Sequence, residues 1–204
     1  MKTRNAGYLR EGDLRAMGMR AGENVRVHES CVLVGVEAMA FGSNVRVDPF
    51  CVLTAVGGSL AVGDFVHLSS HLFVSAAAGV EIGDFCALSV GVKLFSRSDD
   101  YDGGRLVNPT VPAAFTAPAA CAPVRVGRHV IVGAGTVILP GVALGDGAAV
   151  GAQGLVKDSL AEWGLYAGVP AKLVRPRRRD MLEAEIRLRE ALASGAVDLP
   201  VARL

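Results

Sequence analysis

The sequence predicts a mainly β chain wound into a solenoid of triangular cross-section, on three observations. The first is an apolar beat of six: Val126, Val132, Ile138, Leu144, Val150 and Val156 follow one another without a slip. Neither the helical period of about 3.6 nor the alternation of a strand needs such a spacing. The second is what surrounds the beat. Gly127, Gly133, Gly145 and Gly151 each follow a beat residue, and the fifth position of each unit is small or aliphatic (Val130, Thr136, Val142, Ala148, Gly154). The third is composition: 51% of residues are hydrophobic but only 5% aromatic, which suits narrow layers better than a broad core. Six residues per side and three sides per turn give a coil of about 18 residues, and units of that kind stack into solenoids.

The elements follow in order. Residues 1–20 form a capping segment, in which YLREGDLRAMG predicts a short helix over the open end of the first coil. Residues 21–178 form the solenoid. Its beat runs through Ala21, Val27 and Leu33, then Phe41, Val47 and Leu53, then Val62, Leu68 and Val74, then Ile82, Leu88 and Leu94. Each beat residue and the one four further on should point inward. Cys31, Cys51 and Cys86 fall at fifth positions, where a thiol packs as a small hydrophobe; Cys121 sits in a loop. The beat stops at 95–123, a Gly-, Pro- and Asp-rich insertion too long for a corner, and insertions of that length usually carry function. It resumes through Val126–Val156 and closes with GVPAKLVRPRRRD. Residues 179–204 hold an amphipathic helix near 181–194, with Met181, Leu182, Ile186 and Leu192 near one stripe and Asp180 placed to cap it.

Composition excludes several function classes. A net charge of +1 argues against wholesale nucleic-acid binding. No apolar run reaches the length of a membrane span. The N-terminal MKTRNAGYLREGD lacks the apolar core of a signal peptide, which makes the cytoplasm the expected location. The cysteines have no metal-ligand spacing, so no metal is expected. There is no P-loop, GxGxxG or nucleophilic-serine motif.

Three segments carry a resemblance: GRHVIVGAGTVILPGVALGDGAAVGA, GLVKDSLAEWGLYAGVPAKLVR and the insertion's SRSDDYDGGRLVNPTVP. With them, the chain from about Tyr8 to Arg178 resembles the hexapeptide-repeat acyltransferases, which fold as left-handed parallel β-helices. The insertion and the opening YLREGDL are most similar to the dTDP-4-amino-4,6-dideoxyglucose N-acetyltransferases of bacterial surface-polysaccharide synthesis, O-antigen included. The resemblance implies acetyl-CoA as co-substrate, a nucleotide-linked amino sugar as acceptor, and a homotrimer with active sites between subunits. It implies that pantetheine runs along Gly133, Ala134, Gly151 and Ala152, that Pro170 shapes the end of the groove, and that Lys157, Lys172 and Arg175 meet the CoA phosphates.

An amine attacking a thioester must lose a proton, so a base is expected, and histidine is the usual choice. His67 and His71 occupy outward positions in GDFVHLSSHLFV, with His67 at a corner between the first and second sides; His129 is outward in a later coil, and His28 lies far from the insertion. His67 is preferred, since relatives with the SDDY loop tend to carry a histidine in this context, and His71 is the alternative and a substrate contact. Galactoside and maltose acetyltransferases place their histidine in the segment matching 83–97, where this chain has none. Asp99 or Asp100 could therefore orient a histidine, bind the amine or act as base, with Ser98, Tyr101 and Asn108 as further substrate contacts. SDDYDG also reads as a tight turn whose carboxylates bond their own backbone. His67 and the insertion lie on different edges of one solenoid, so this assignment requires a neighbouring subunit. Competing readings are O-acetylation of a sugar by the same fold, a zinc enzyme like the γ-type carbonic anhydrases through His67 and His71, and a non-catalytic scaffold.

Overall fold

A computed structural model describes residues 7–116 and 120–197. The outer parts of the capping segment and tail, and the insertion's residues 117–119, lie outside the described residues. The chain is a parallel β-helix with three faces. The first face holds six strands: Arg20–Ala21, Met39–Phe41, Leu60–Val62, Val80–Ile82, Val124–Val126 and Ala143–Leu144. The second starts from Tyr8–Arg10 and continues through Arg26–His28, Arg46–Val47, His67–Leu68, Ala87–Leu88, Ile131–Val132 and Ala149–Val150 to Gly164–Ala167 and Lys172–Pro176. The third stacks Val32–Val34, Val52–Thr54, Phe73–Ser75, Lys93–Phe95, Val137–Ile138 and Leu155–Val156.

The register explains the beat. Val47, Leu68, Leu88, Val132 and Val150 are successive partners on the second face, as Leu53, Val74, Leu94, Ile138 and Val156 are on the third. All ten are buried. The fifth-position rule holds at two corners, with Val25, Val45, Val66, Cys86, Val130 and Ala148 buried before the second face. It fails at the third corner of the early coils, where extra residues shift the inward position to Ala55, Ala76 and Ser96. The thiols of Cys31, Cys51 and Cys86 donate to Asp48 O, Ser69 O and Gly127 O of the next coil. Burial pushes the Cys86 thiol up to about 12, as expected of an inert core thiol; Cys121 is exposed.

Both ends are capped. Tyr8–Arg10 adds an antiparallel strand to Arg26–His28, and the predicted short helix follows at Glu11–Ala16, burying Leu14. At the other end Gly164–Ala167 extends the coil and Lys172–Pro176 folds back antiparallel to it. The insertion leaves the third face at buried Ser96, whose hydroxyl donates to Ser75 O at 2.8 Å. A two-stranded ribbon, Arg97–Ser98 against Ala120–Cys121, clamps its base.

The C-terminal helix, Met181–Ala193, corrects two expectations. Asp180 does not cap it: its backbone is helical, no side-chain cap bond forms, and its carboxylate pairs with Arg178. The helix buries no apolar stripe, and Ile186 is 58% exposed. It docks through Glu185 instead. That carboxylate accepts from His129 Nε2 and Arg128 Nη2, both at 2.6 Å, and from Arg189 Nε at 2.8 Å. His129, outward with respect to its coil, is thereby buried, its ring stacked on Phe85 at 5.2 Å. Arg177 adds a second tie by donating to His129 O and Gly147 O.

Two predictions follow from these contacts. Replacing Val132 or Leu88 by Asp buries an unpaired charge between coils and should cost about 4 kcal/mol or more, read as loss of the cooperative thermal transition. Burial alone would raise the Glu185 carboxyl, but its bonds to Arg189 and His129 and the charge of Arg128 outweigh this and lower it. A lowered carboxyl stabilises above its unfolded value and loses that contribution as pH falls through the folded value. The tail should therefore undock in acid, and Glu185→Gln should flatten that dependence and cost about 1 kcal/mol near neutrality, measured by amide exchange of the helix and by thermal melts.

Candidate active site

Alternation along a strand sends every second side chain outward, and the parallel register stacks those side chains into columns. Two outward columns line the second face. One runs Arg10, Arg26, Arg46, His67, Ala87, Ile131, Ala149. The other lies beside it and carries His28 near one end, then Asp48, Ser69, Ser89, Gly133 and Gly151 on successive coils, tied in sequence by Asp48 N to Leu68 O, Ser69 N to Leu88 O, Ser89 N to Val132 O and Gly133 N to Val150 O.

His67 lies within a strand of the second face rather than at the corner before it. Its Nε2–H donates to Asp48 Oδ2 at 2.8 Å, and Arg46 Nε donates to Asp48 Oδ1 at 2.7 Å. The Asp48 side chain is 12% exposed and that of His67 46%. A buried carboxylate thus holds an exposed imidazole by one nitrogen. The other, Nδ1, makes no hydrogen bond among the described residues, so its lone pair is free to accept a proton. Burial alone would lower the Arg46 guanidinium, but the Asp48 carboxylate more than compensates, and it is raised. His71 does not join this group: it sits at the next corner with positive φ, its ring 5.2 Å from that of Phe50.

The insertion residues divide. Asp100 accepts from its own turn, Asp102 N at 2.8 Å and Gly104 N at 3.1 Å. Asn108 Oδ1 accepts from Thr110 N and Oγ1. Both are turn-formers first. Ser98 donates to Asp99 O, Asp99 is exposed, and Tyr101 is 92% exposed. Among the described residues no hydrogen bond or ion pair joins the insertion to His67 or His71. The two groups leave different edges of the coil, as the sequence arithmetic requires.

The expected CoA residues lie toward the C-terminal coils, on the second and third faces. Gly133 and Gly151 stack on successive coils, followed by Ala134 and Ala152. A Cβ on Gly133 would collide with the Gly151–Ala152 backbone, so this glycine is also required by close packing of the coils. Pro170 lies in the turn beside Leu155, where Ala171 N donates to Leu155 O. Lys157 pairs with Asp158 at 2.9 Å, and Lys157, by hydrogen bond and charge, and Lys172, by charge, lower that carboxyl. Lys172 and Arg175 are exposed on the outermost strand. Among the described residues no three His, Cys, Asp or Glu side chains are grouped to hold a metal ion, and His67 and His71 have different partners, the Asp48 carboxylate and the Phe50 ring.

No family model matches the chain. It is 35% identical over 179 residues to the dTDP-4-amino-4,6-dideoxy-D-glucose acyltransferase of Escherichia coli, covering 87% of this chain and 93% of that one. The chain belongs to this acyltransferase family. It is also similar to AntD, an N-acyltransferase from Bacillus cereus solved with dTDP and 3-hydroxybutyryl-CoA, at 29% identity and a TM-score of 0.86 over 91% of this chain and 98% of AntD. A serine-to-alanine variant of AntD has also been solved with dTDP-4-amino-4,6-dideoxyglucose and CoA.

In this acyltransferase, sequence reasoning did not single out Asp48 or Arg46, which the fold brings to His67. The available signal was coil length: Asp48 precedes His67 by 19 residues, about one turn, so the two had to be neighbours. Asp48→Ala should release the His67 ring. Long-range ¹H–¹⁵N spectra of the histidine side chains should show His67 as the Nε2–H tautomer in the wild type and as a mixture in the variant.

Proposed function

We propose that this enzyme transfers an acetyl group from acetyl-CoA to the amino group of a dTDP-4-amino-4,6-dideoxyhexose, in the cytoplasm, for O-antigen or another surface polysaccharide. The observation that carries the reading is the match, over 87% of this chain and 93% of the relative, to an acyltransferase named for that sugar, joined to an outward histidine with one nitrogen anchored and one free. As the C–N bond forms at the thioester carbonyl, His67 Nδ1 takes the proton that nitrogen loses. The C–S bond breaks, and the departing CoA sulfur takes up a proton. Gly133, Ala134, Gly151 and Ala152 carry the pantetheine arm, with Lys157, Lys172 and Arg175 at its phosphates and Pro170 shaping the end of the groove.

A second candidate for the chemistry comes from the AntD variants, which replace one serine and one aspartate ten positions apart. In this chain Ser89 and Asp99 are the one serine–aspartate pair, in that order, with that separation. Ser89 stands in the Asp48–Ser69 column, beside His67's face. That supports Asp99 over Asp100 as the insertion residue that reaches the acceptor, with Ser98, Tyr101 and Asn108 shaping the loop around it.

The active unit is a homotrimer. His67 and Asp99 sit on different edges of one coil, so a complete site needs a neighbour's loop. The third face offers a contact surface: Val32, Val34, Val52, Phe73, Phe95, Val137 and Leu155 stand outward on it, with Val32 52% and Val34 42% exposed.

Thiol release measured with dTDP-4-amino-4,6-dideoxyglucose and with its 4-hydroxy analogue tests the reading. Turnover of the amine and not of the alcohol is expected, and the reverse favours O-acetylation. His67→Ala should lower kcat about 100-fold; full retained activity transfers the role to Asp99 with Ser89. Comparing acetyl-CoA with 3-hydroxybutyryl-CoA fixes the acyl group.

A further inference from the structure

The four cysteines occupy different kinds of place. Cys121 is exposed in the ribbon at the base of the insertion, opposite Arg97. Cys86 is buried before the second face, where Val66 and Val130 hold the same place on the adjoining coils, so no second thiol stands over it. Cys31 and Cys51 differ. They precede Val32 and Val52, which are register partners on the third face, and Val32 N donates to Cys51 O at 2.9 Å. One cysteine therefore lies directly over the other at the same corner of the first two coils. The next two coils hold Leu72 and Val92 in that place.

This stacking meets the geometric demand of a disulfide. Paired strands lie about 4.8 Å apart, inside the span of roughly 4.4–6.8 Å between Cα atoms that a disulfide bridges. Both side chains face the core, Cys51 fully buried and Cys31 partly. Each thiol donates to a carbonyl of the next coil, Cys31 to Asp48 O at 3.2 Å and Cys51 to Ser69 O at 3.1 Å. The two sulfur groups also meet. A bond from the Cys51 side chain holds the Cys31 thiol down to about 7, against burial and the Asp48 charge and with help from the Cys51 backbone and the His28 charge. The same contact, with burial, pushes the Cys51 thiol up. A partly exposed thiol that ionises readily, beside a buried one that does not, is the pairing of an attacking and a resolving cysteine.

We infer that Cys31 and Cys51 are an oxidative modification site, forming a reversible disulfide between the first two coils by exchange with a small-molecule disulfide. The Cys31 thiolate, its proton released to water, attacks one sulfur of that disulfide. The small molecule's S–S bond breaks, a mixed disulfide forms on Cys31, and one small thiolate leaves and takes a proton from water. The Cys51 sulfur then attacks the Cys31 sulfur, the mixed S–S bond breaks, and the Cys51 proton passes to the second departing thiolate. Two protein thiols are oxidised and one small disulfide is reduced to two thiols. The new bond withdraws both S–H donors from Asp48 O and Ser69 O, in the column beside His67. In reducing surroundings such a bond is transient and acts as a sensor rather than a staple.

Incubation of the folded, full-length protein with oxidised glutathione tests this. Cys121→Ser serves as the background, since an exposed thiol reacts on its own account. Mass mapping after trypsin and chymotrypsin should recover a linked Cys31–Cys51 peptide, with Cys86 still a free thiol, and dithiothreitol should restore both partners. Cys51→Ser on the same background should stop at a glutathione mixed disulfide on Cys31. The rate of modification should fall with pH through a midpoint near about 7, against about 8.5 for an ordinary thiol. Should Cys51→Ser fold poorly, the mapping of the Cys121→Ser protein carries the test. A Cys31 that stays unmodified in the folded protein overturns the inference, whether the cause is packing within the chain or cover by a second copy. So does a mixed disulfide that persists on Cys31 with Cys51 present, a link that appears only after denaturation, or a midpoint near about 8.5. None of these readouts involves acyl transfer, so the result stands apart from the reading under Proposed function.

Discussion

Every coil of this protein must place its inward side chains directly over those of the coil before. Parallel pairing on three faces leaves no slack, since a shift of one residue would turn Leu68 or Leu88 outward and His67 or Ala87 inward. That constraint divides the sequence into two alphabets. Inward positions are restricted to Val, Leu, Ile and a few small residues, and they carry no chemistry. Outward positions are released from packing and become columns of freely chosen groups with a fixed spacing. The candidate site follows from this: His67, Asp48, Arg46, Ser69 and Ser89 stand in adjoining columns because a coil has a nearly constant length, although no two of them form a recognisable local motif.

That is also why the fold was legible and the site only in part. The beat from Val126 to Val156 is local, and it led directly to the stacked strands. His67 was singled out because histidine is rare here and chemically suggestive. Asp48 was passed over because it lies nearly a coil away, in a segment that reads as an ordinary corner, VDPF. Arg26 and Arg46 look like unremarkable outward residues until register sets them opposite each other. The tail misled in another way. A weak apolar stripe marked the helix as amphipathic, whereas its docking runs through one carboxylate shared between His129, Arg128 and Arg189. Such a contact leaves no periodic trace in the sequence.

The loop residues show the opposite difficulty. SDDYDG offers several carboxylates, and composition cannot rank them. Structure separates them by what each already does: both Asp100 oxygens accept from the backbone of its own turn, while Asp99 is exposed with no bond from its carboxylate among the described residues. A carboxylate committed to a turn can shape a loop but has little capacity left for a substrate. The same reasoning applies to Gly133, where the collision with the next coil explains the glycine before any ligand is invoked.

The arrangement of polar and apolar surface along the second face finally bears on how two substrates meet. A nucleotide sugar and an acyl-CoA both carry phosphates, and a single basic surface would bind them indiscriminately. Here the cations are separated. Arg10, Arg26 and Arg46 stand at the N-terminal end of the column, Lys172 and Arg175 on the outermost strand at the C-terminal end, and between them lie His67, Ala87, Ile131 and Ala149. Under the proposed function, two anionic handles held at opposite ends would direct the uncharged reacting groups, an amine and a thioester, toward the neutral middle. Repulsion between the phosphates then favours this orientation over any in which the ligands overlap. On that reading the regular coil would set the distance between the two handles, because the parallel register fixes how many strands separate Arg46 from Gly133.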